Sequence, residues 1–309
     1  MDTVIYGAGI RGQKFYDILK NHGILVKCFC DIRAEEILSV NINGEIVPVI
    51  TYEKLLEIDL CQVVVGIANG GVCSEISSKL ENDKIKVVQI GSLLYKSTND
   101  IVSSNRKFIK DYHLREMQDY FIDAENNLNI FWDEASDFLK YFNMLDLTNV
   151  VELACGHGRH VNKYKKNANK IILVDILEDN IEFCKKRFAS EDNIDYYVNS
   201  GCDLSEIDSE SITSLFTYDA MVHFEMWDVF SYLKETKRIL KNGGMALFHH
   251  SNNTESNNVT FATGTAGRNY MSKDLFEYLC NRAGLNVVEQ KVIDWSSPLL
   301  DCITLVSKL

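Results

Sequence analysis

Three histidines and an aspartate stand where this sequence could carry acid–base chemistry. Asp219 and His223 lie in Tyr218-Asp219-Ala220-Met221-Val222-His223-Phe224-Glu225, directly after an apolar run, Ile212–Thr217, that reads as a buried strand. His249 and His250 end and follow a second such run, Met245–His249. Side chains just past the C-terminal ends of strands in an open α/β sheet face the crevice where ligands sit. A neutral imidazole there can take the proton of a hydroxyl as a new bond forms. His223 is the first choice for that base and His250 the second, with Asp219 beside them and His249 facing the substrate. Asp219 and His223 could share one face of a helical turn, but two candidate ligands with no third do not make a metal site, and none is expected.

A glycine turn is the element that must bring a second reactant to this edge. Val150–Leu153 is an apolar strand that includes Glu152, and it runs into Ala154-Cys155-Gly156-His157-Gly158. A helical pattern over 161–167 and a strand ending in Asp175 follow. Strand, glycine turn, helix, strand, acid is the nucleotide-binding half of a Rossmann-type sheet. Glycines let the backbone approach the ligand, and Asp175 can bind both ribose hydroxyls. An acid ahead of the glycines, Glu152, suits a ligand with a positive group and no phosphate, which points to S-adenosylmethionine. His157 and His160, inside the turn, are expected to pack there.

The remaining pattern continues the alternation. A helix is expected over Glu178–Ala189, a strand over Ile194–Val198 with Asp203 after it, and a helix over Trp227–Leu240. A polar stretch, Ser251–Arg268, is long enough to be functional. Arg268, Asn269 and Tyr270 close it and could bind sugar hydroxyls. Ser272 and Gly284 read as the caps of a helix over Lys273–Ala283, and Asn286–Ile293 with Cys302–Ser307 suit a final antiparallel pair. Trp295, between them, could stack on a sugar ring or belong to the core.

From about Asn149 to the C-terminus the chain resembles class I S-adenosylmethionine-dependent methyltransferases. Val151–His160 resembles their first motif, with Ala154 where a glycine is usual. Ile172–Ile176 resembles the second and Gly201–Leu204 the third. Phe216–Phe224 followed by Ile239–Asn252 resembles the fourth motif and late strand of small-molecule and sugar methyltransferases. The resemblance implies cofactor contacts from Glu152, Ala154, Gly156, Gly158, Asp175 and Ile176. It further implies that Asp203 accepts from the adenine amino group, that Leu204 lines the ring, and that Tyr218 lies beside the cofactor. It implies a hydroxyl acceptor on a sugar or nucleotide-linked sugar, in surface-polysaccharide or glycoside biosynthesis.

The first hundred residues repeat the theme. Thr3–Tyr6 is a strand, Gly7-Ala8-Gly9-Ile10-Arg11-Gly12 is a full G-x-G-x-x-G turn, and Leu25–Cys30 is a strand ending in Asp31. Strands are expected at 62–67 and 86–90, with a helix at 75–80. Gly7, Gly9, Gly12 and Asp31 are candidates for NAD(P) or a nucleotide sugar. The same glycines would equally serve a domain kept for assembly or substrate presentation. Between the two turns, aromatic and apolar residues recur near helical spacing: Phe108, Tyr112, Met117, Tyr120, Phe121, Phe131, Phe138 and Phe142.

The 309 residues are therefore expected to form two Rossmann-like doubly wound α/β sheets joined by a helical segment. The boundaries are 1–97, 98–148 and 149–309, and the last domain is a seven-stranded methyltransferase sheet. A net charge of −12 argues against general nucleic-acid binding. The nine cysteines are scattered and read as thiols in a reducing compartment. No apolar run reaches membrane-span length. The chain opens directly on a strand, so a cytoplasmic protein without a signal peptide is expected. A homo-oligomer stays open.

Overall fold

The computed structural model of the chain describes residues 1–94, 101–116, 120–257 and 259–309. Met117 and the 97/98 boundary lie outside the described residues. The chain divides into two compact units. One comprises Met1–Phe108 with Asn253–Tyr270, and the other Ile109–Asn252 with Met271–Leu309. The helical stretch after residue 97 is thus shared between the units at Phe108 and does not stand as a domain of its own.

The first unit alternates β1 (Asp2–Tyr6), α1 (Ile10–Asn21), β2 (Val26–Cys30), β3 (Ser39–Ile42), β4 (Glu45–Ile50), α2 (Tyr52–Leu56), β5 (Cys61–Val65), α3 (Gly70–Asn82), β6 (Lys86–Val87) and α4 (Ile90–Leu94). Its six strands lie in the order β3-β4-β2-β1-β5-β6, parallel except for β3 against β4. Val4, Cys28, Cys30, Val63 and Val65 build a core on one sheet face, as strands of a parallel sheet covered by helices require. The β3–β4 hairpin was not expected. Its turn is Asn43-Gly44, both with positive φ (52° and 87°), the pair that favours a two-residue hairpin loop.

Helix α5 (Ile101–Glu116) leads into the second unit, followed by α6 (Tyr120–Asn126), α7 (Leu128–Phe131) and α8 (Asp137–Phe142). Then come β7 (Asn149–Leu153), α9 (Val161–Tyr164), β8 (Lys170–Asp175), α10 (Glu178–Arg187), β9 (Ile194–Val198), β10 (Ile212–Thr217), α11 (Met226–Ile239), β11 (Leu240–Ser251), α12 (Lys273–Ala283), β12 (Asn286–Ile293) and β13 (Asp301–Ser307). The seven strands lie in the order β12-β13-β11-β10-β7-β8-β9, with β13 antiparallel to both neighbours. The capping residues of α12 act as their types suggest. The Ser272 hydroxyl accepts from the Leu275 N–H at 3.0 Å, and Gly284 takes the left-handed conformation.

Strand order reverses between β7 and β10, so the crevice outside their C-terminal ends is the place for a ligand. Both faces of the sheet are buried. Leu153, Leu215, Phe248 and Phe276 lie in one core, and Val150, Phe216, Phe138 and Tyr164 in the other. All nine cysteines are free thiols, most of them buried. Among the described residues no helix is long and apolar enough to cross a membrane.

Candidate active site

The second glycine turn leaves β7 in a left-handed conformation. Ala154, Gly156 and Gly158 have φ of 57°, 55° and 69°. An L-residue there costs about 1–2 kcal/mol, so Ala154 holds strain that a glycine would not. A Cβ at Gly158 would come within 2.7 Å of the Phe188 ring, and one at Gly156 within 3.2 Å of Phe121. Asp175, at the end of β8, clasps the turn. Its Oδ2 accepts from the Gly156 N–H at 2.9 Å, and its Oδ1 from the Leu177 N–H at 2.8 Å and the Asn180 amide at 3.1 Å. A carboxylate has about four acceptor positions, so this set leaves room for a ligand hydroxyl. Burial raises the Asp175 carboxyl above its ordinary range, against these three donors. Ile176, half-buried, follows directly. The two glycines give this turn its left-handed backbone, and the buried carboxylate beside it keeps acceptor capacity for a ligand hydroxyl.

Glu152 does not fit its expected role. It is buried, and its Oε2 accepts from the Tyr164 hydroxyl at 2.9 Å. Burial pushes its carboxyl up to about 8, so at neutral pH it is mostly an uncharged acid and offers little negative charge to a positive ligand.

Asp219 is the centre of the second cluster. It too has positive φ, 58°, and its N–H donates to Nδ1 of His249 at 3.0 Å. The His249 proton is therefore on Nε2, which donates to Asp301 at 3.1 Å. The Asp219 carboxylate accepts from the Tyr120 hydroxyl at 2.6 Å and from Arg159 at 3.1 Å. Burial alone would raise this carboxyl, but Arg159, with help from the Tyr120 hydroxyl, holds it below the usual range. His223 sits in a short turn, Met221–His223, with its ring 5.6 Å from that of His113 on α5. Nδ1 of His113 lies 2.8 Å from the Ile109 carbonyl. A carbonyl only accepts, so Nδ1 carries the proton and Nε2 the lone pair. Burial lowers the basicity of His113.

Sequence reasoning missed three of these residues. His113 carries no motif, Tyr120 is hidden in an aromatic stripe at helical spacing, and Arg159 lies inside the first motif without standing out from it. His157 packs as expected, stacked between Phe121 (3.8 Å) and Phe183 (3.9 Å). His160 is buried and accepts from Trp132 at 3.1 Å.

Several expected site residues lie elsewhere. His250 is fully buried, stacked on Phe276 at 3.7 Å. Its Nδ1 donates to the Ser251 carbonyl, leaving Nε2 to accept from Thr304 at 2.8 Å. Burial takes its pKa down to about 3; it cannot serve as a base. His249, also fully buried, accepts from the Asp219 N–H and so positions that residue. The reason is shared: β11 runs on to Ser251 paired with β13, and the rings of Tyr218 and Phe276 cover His249 and His250 on its two faces. Tyr218 is buried against Phe138 at 4.3 Å, and Trp295 stacks on Phe131 at 5.6 Å. Leu204 is part of the core. Asp203 accepts from Ser200 and Ser205, whose hydroxyls and N–H groups outweigh burial and hold its carboxyl below the ordinary range. Arg268 and Asn269 are buried within the first unit, and the Arg268 guanidinium turns back to the Ala266 carbonyl at 2.9 Å. Among the described residues no group of three or more His, Cys, Asp or Glu could hold a metal ion.

The first turn repeats the second in outline. The Ala8 N–H donates to Asp31 Oδ2 at 2.8 Å, and Arg33 donates to Oδ1 through its N–H at 2.9 Å and its Nε at 3.2 Å. A Cβ at Gly12 would collide with the Gly7 carbonyl, whereas one at Gly9 would meet nothing within 4 Å.

Residues 151–248 match the family model described as "Methyltransferase domain". No curated protein matches the sequence. Among solved structures, a protein of Pyrococcus horikoshii OT3 superposes with a TM-score of 0.48 at 18% identity, covering 64% of this chain and 99% of its own. An S-adenosylmethionine-dependent methyltransferase from Mesorhizobium loti gives 0.47 at 14% identity, covering 57% of this chain and 99% of its own. Geranyl diphosphate C-methyltransferase from Streptomyces coelicolor A3(2) gives 0.47 at 12%, covering 55% and 76%. Residues 151–248, inside the second unit, are thus the part of the chain similar to a methyltransferase domain.

Proposed function

We propose that the second unit transfers a methyl group from S-adenosylmethionine to a hydroxyl of a small-molecule acceptor, a sugar or nucleotide-linked sugar, in a reducing cytosol. The observation that carries this reading is the pairing of His223 with His113 close to Asp219, at the sheet edge where Asp175 clasps the glycine turn. When bound, the cofactor supplies a methyl carbon already activated by a sulfonium. Gly156 and Gly158 would hold it through backbone approach, Asp175 through its ribose and Ile176 along its base. Asp203 would reach the adenine amino group only by giving up Ser200 or Ser205.

His223 is the base in this reading: it takes the acceptor hydroxyl's proton, a contribution of roughly 10²–10⁴ in rate. His113, with its lone pair on Nε2, orients or relays that proton. Asp219, kept ionised by Arg159, favours the protonated state of the imidazole that forms. Holding hydroxyl and methyl in line is the other requirement, and the Tyr120–Asp219–Arg159 set fixes one wall for it. The sugar acceptor rests on the resemblance of Tyr218–Glu225, His249–Asn252 and Gly267–Phe276 to sugar methyltransferases. Incubation with S-adenosylmethionine and a panel of nucleotide sugars, with products read by mass spectrometry, tests it. Gain of one methyl on oxygen, lost in His223→Gln, is expected. Methylation on carbon or nitrogen, or full turnover in His223→Gln, contradicts it.

A further inference from the structure

The first unit brings a nucleotide-type turn and a distant piece of chain to one sheet edge. Strand order reverses between β1 and β5, so the crevice there is framed by the N-termini of α1 and α3. Residues 253–270, the connection from β11 to α12, lie against both. Arg11, in the first turn of α1, donates to the Ala262 carbonyl at 2.8 Å and the Gly264 carbonyl at 3.2 Å. At α3, the Ser256 hydroxyl donates to that of Ser74 at 2.7 Å. The Thr265 hydroxyl donates to the Glu255 carboxylate at 3.0 Å and faces the Gly70 N–H at 3.5 Å.

A Cβ at Gly70 would lie 2.5 Å from Glu255 Oε2 and 2.8 Å from Val259. The carboxylate therefore sits over the first residue of α3, where the positive end of the helix favours an anion. Phe261 packs edge-on against Phe108 (6.1 Å), and Phe108 packs the same way against Phe15 of α1 (6.1 Å).

We propose that the ligand of this nucleotide-type edge is the chain's own segment 253–270, and that the first unit works as a clamp for it. The segment supplies what a nucleotide would supply. Its carbonyls take the arginine beside the glycine turn, and its carboxylate takes the helix terminus. In return the first unit fixes a connection that carries almost no regular structure of its own, which long loops seldom manage unaided. Arg268, Asn269 and Tyr270 then belong to the clamped segment. Gly9 faces open space, so a nucleotide at the α1 terminus is the competing occupant.

Hydrogen exchange read by mass spectrometry on the full chain decides between them. Arg11→Ala removes two hydrogen bonds, and Gly70→Ala pushes a methyl group into Glu255 and Val259. Each is expected to speed exchange in 253–270 by about tenfold, the equivalent of ~1.4 kcal/mol, with β7, β8 and β10 unchanged. Millimolar NAD⁺, NADP⁺ or a UDP-sugar is expected to add no protection at residues 7–12. If Arg11→Ala loses protection throughout β1 and β5 and so has unfolded the unit, Gly70→Ala and Ser74→Ala carry the test. Wild-type protection of 253–270 in the folded variants overturns the proposal. So does a nucleotide that protects 7–12 while releasing 253–270.

Discussion

The two glycine turns of this chain share a backbone plan and differ in everything around it. In each, the acid that ends the second strand reaches back to an N–H of the turn: Asp31 to Ala8 at 2.8 Å, Asp175 to Gly156 at 2.9 Å. Around Asp31 the structure places one arginine, Arg33, and the nearby Arg11 is bound to two backbone carbonyls. Around Asp175 lies a titratable cluster: His113, His223, Asp219, Arg159 and Tyr120. The turn is thus a structural solution to joining a strand to a helix, and chemistry depends on what the next elements bring to it. The charge state differs too. Burial raises Asp175, whereas at Asp31 the N–H groups of Ala8 and Arg33 and the Arg33 guanidinium together overcome burial and lower the carboxyl.

The largest expected effect is on the second turn's cluster. His223→Gln lowers kcat by about 10²–10⁴ with S-adenosylmethionine affinity unchanged, measured by steady-state kinetics and calorimetry. His250→Gln leaves turnover within a few-fold, since that ring is enclosed by Phe276, Ser251 and Thr304. A reversal of the two would place the chemistry on β11.

Next is the pH dependence of stability. The Glu152 carboxyl titrates from 4.5 unfolded to about 8 folded. The native state thus binds the extra proton between those values, and wild-type stability falls as pH rises through that window. Glu152→Gln, which keeps a partner for Tyr164, should remove that loss. Its melting temperature should exceed wild type's at pH 8 and converge with it near pH 5. Equal melting curves at both pH values would mean Glu152 is ionised in the fold.

Much of this was legible in the sequence. β9, β10, α12 and β12 have the expected bounds, because strong apolar periodicity and clear caps leave little choice. Ala154 was visible as a departure from the glycine pattern, and its positive φ shows what that departure costs. The unread parts depend on long-range contact. Nothing local tells that 253–270 packs with residues 11, 70 and 74, or that His113 on an amphipathic helix meets His223. His249 and His250 were misread because a strand's end cannot be located from its apolar run when polar residues continue it into the sheet.

The two turns also differ in steric demand. Gly12→Ala should cost about 1–3 kcal/mol, because the new methyl collides with the Gly7 carbonyl. Gly9→Ala should stay within about 0.5 kcal/mol. Denaturant melts of the two variants check this; equal losses would mean Gly9 is packed. At the second turn the effect expected is a gain. Ala154→Gly relieves about 1–2 kcal/mol of left-handed strain and adds about 0.5–1 kcal/mol of chain entropy. It should therefore stabilise by up to about 1.5 kcal/mol in the same assay.

The division of labour between the turns is tested most directly by titrating S-adenosylhomocysteine into the full chain and into folded Asp175→Ala and Asp31→Ala variants. The site we propose on Asp175 requires Asp175→Ala to weaken binding by about 1–3 kcal/mol, with Asp31→Ala indistinguishable from wild type. Unchanged affinity in Asp175→Ala, or a loss confined to Asp31→Ala, would contradict it.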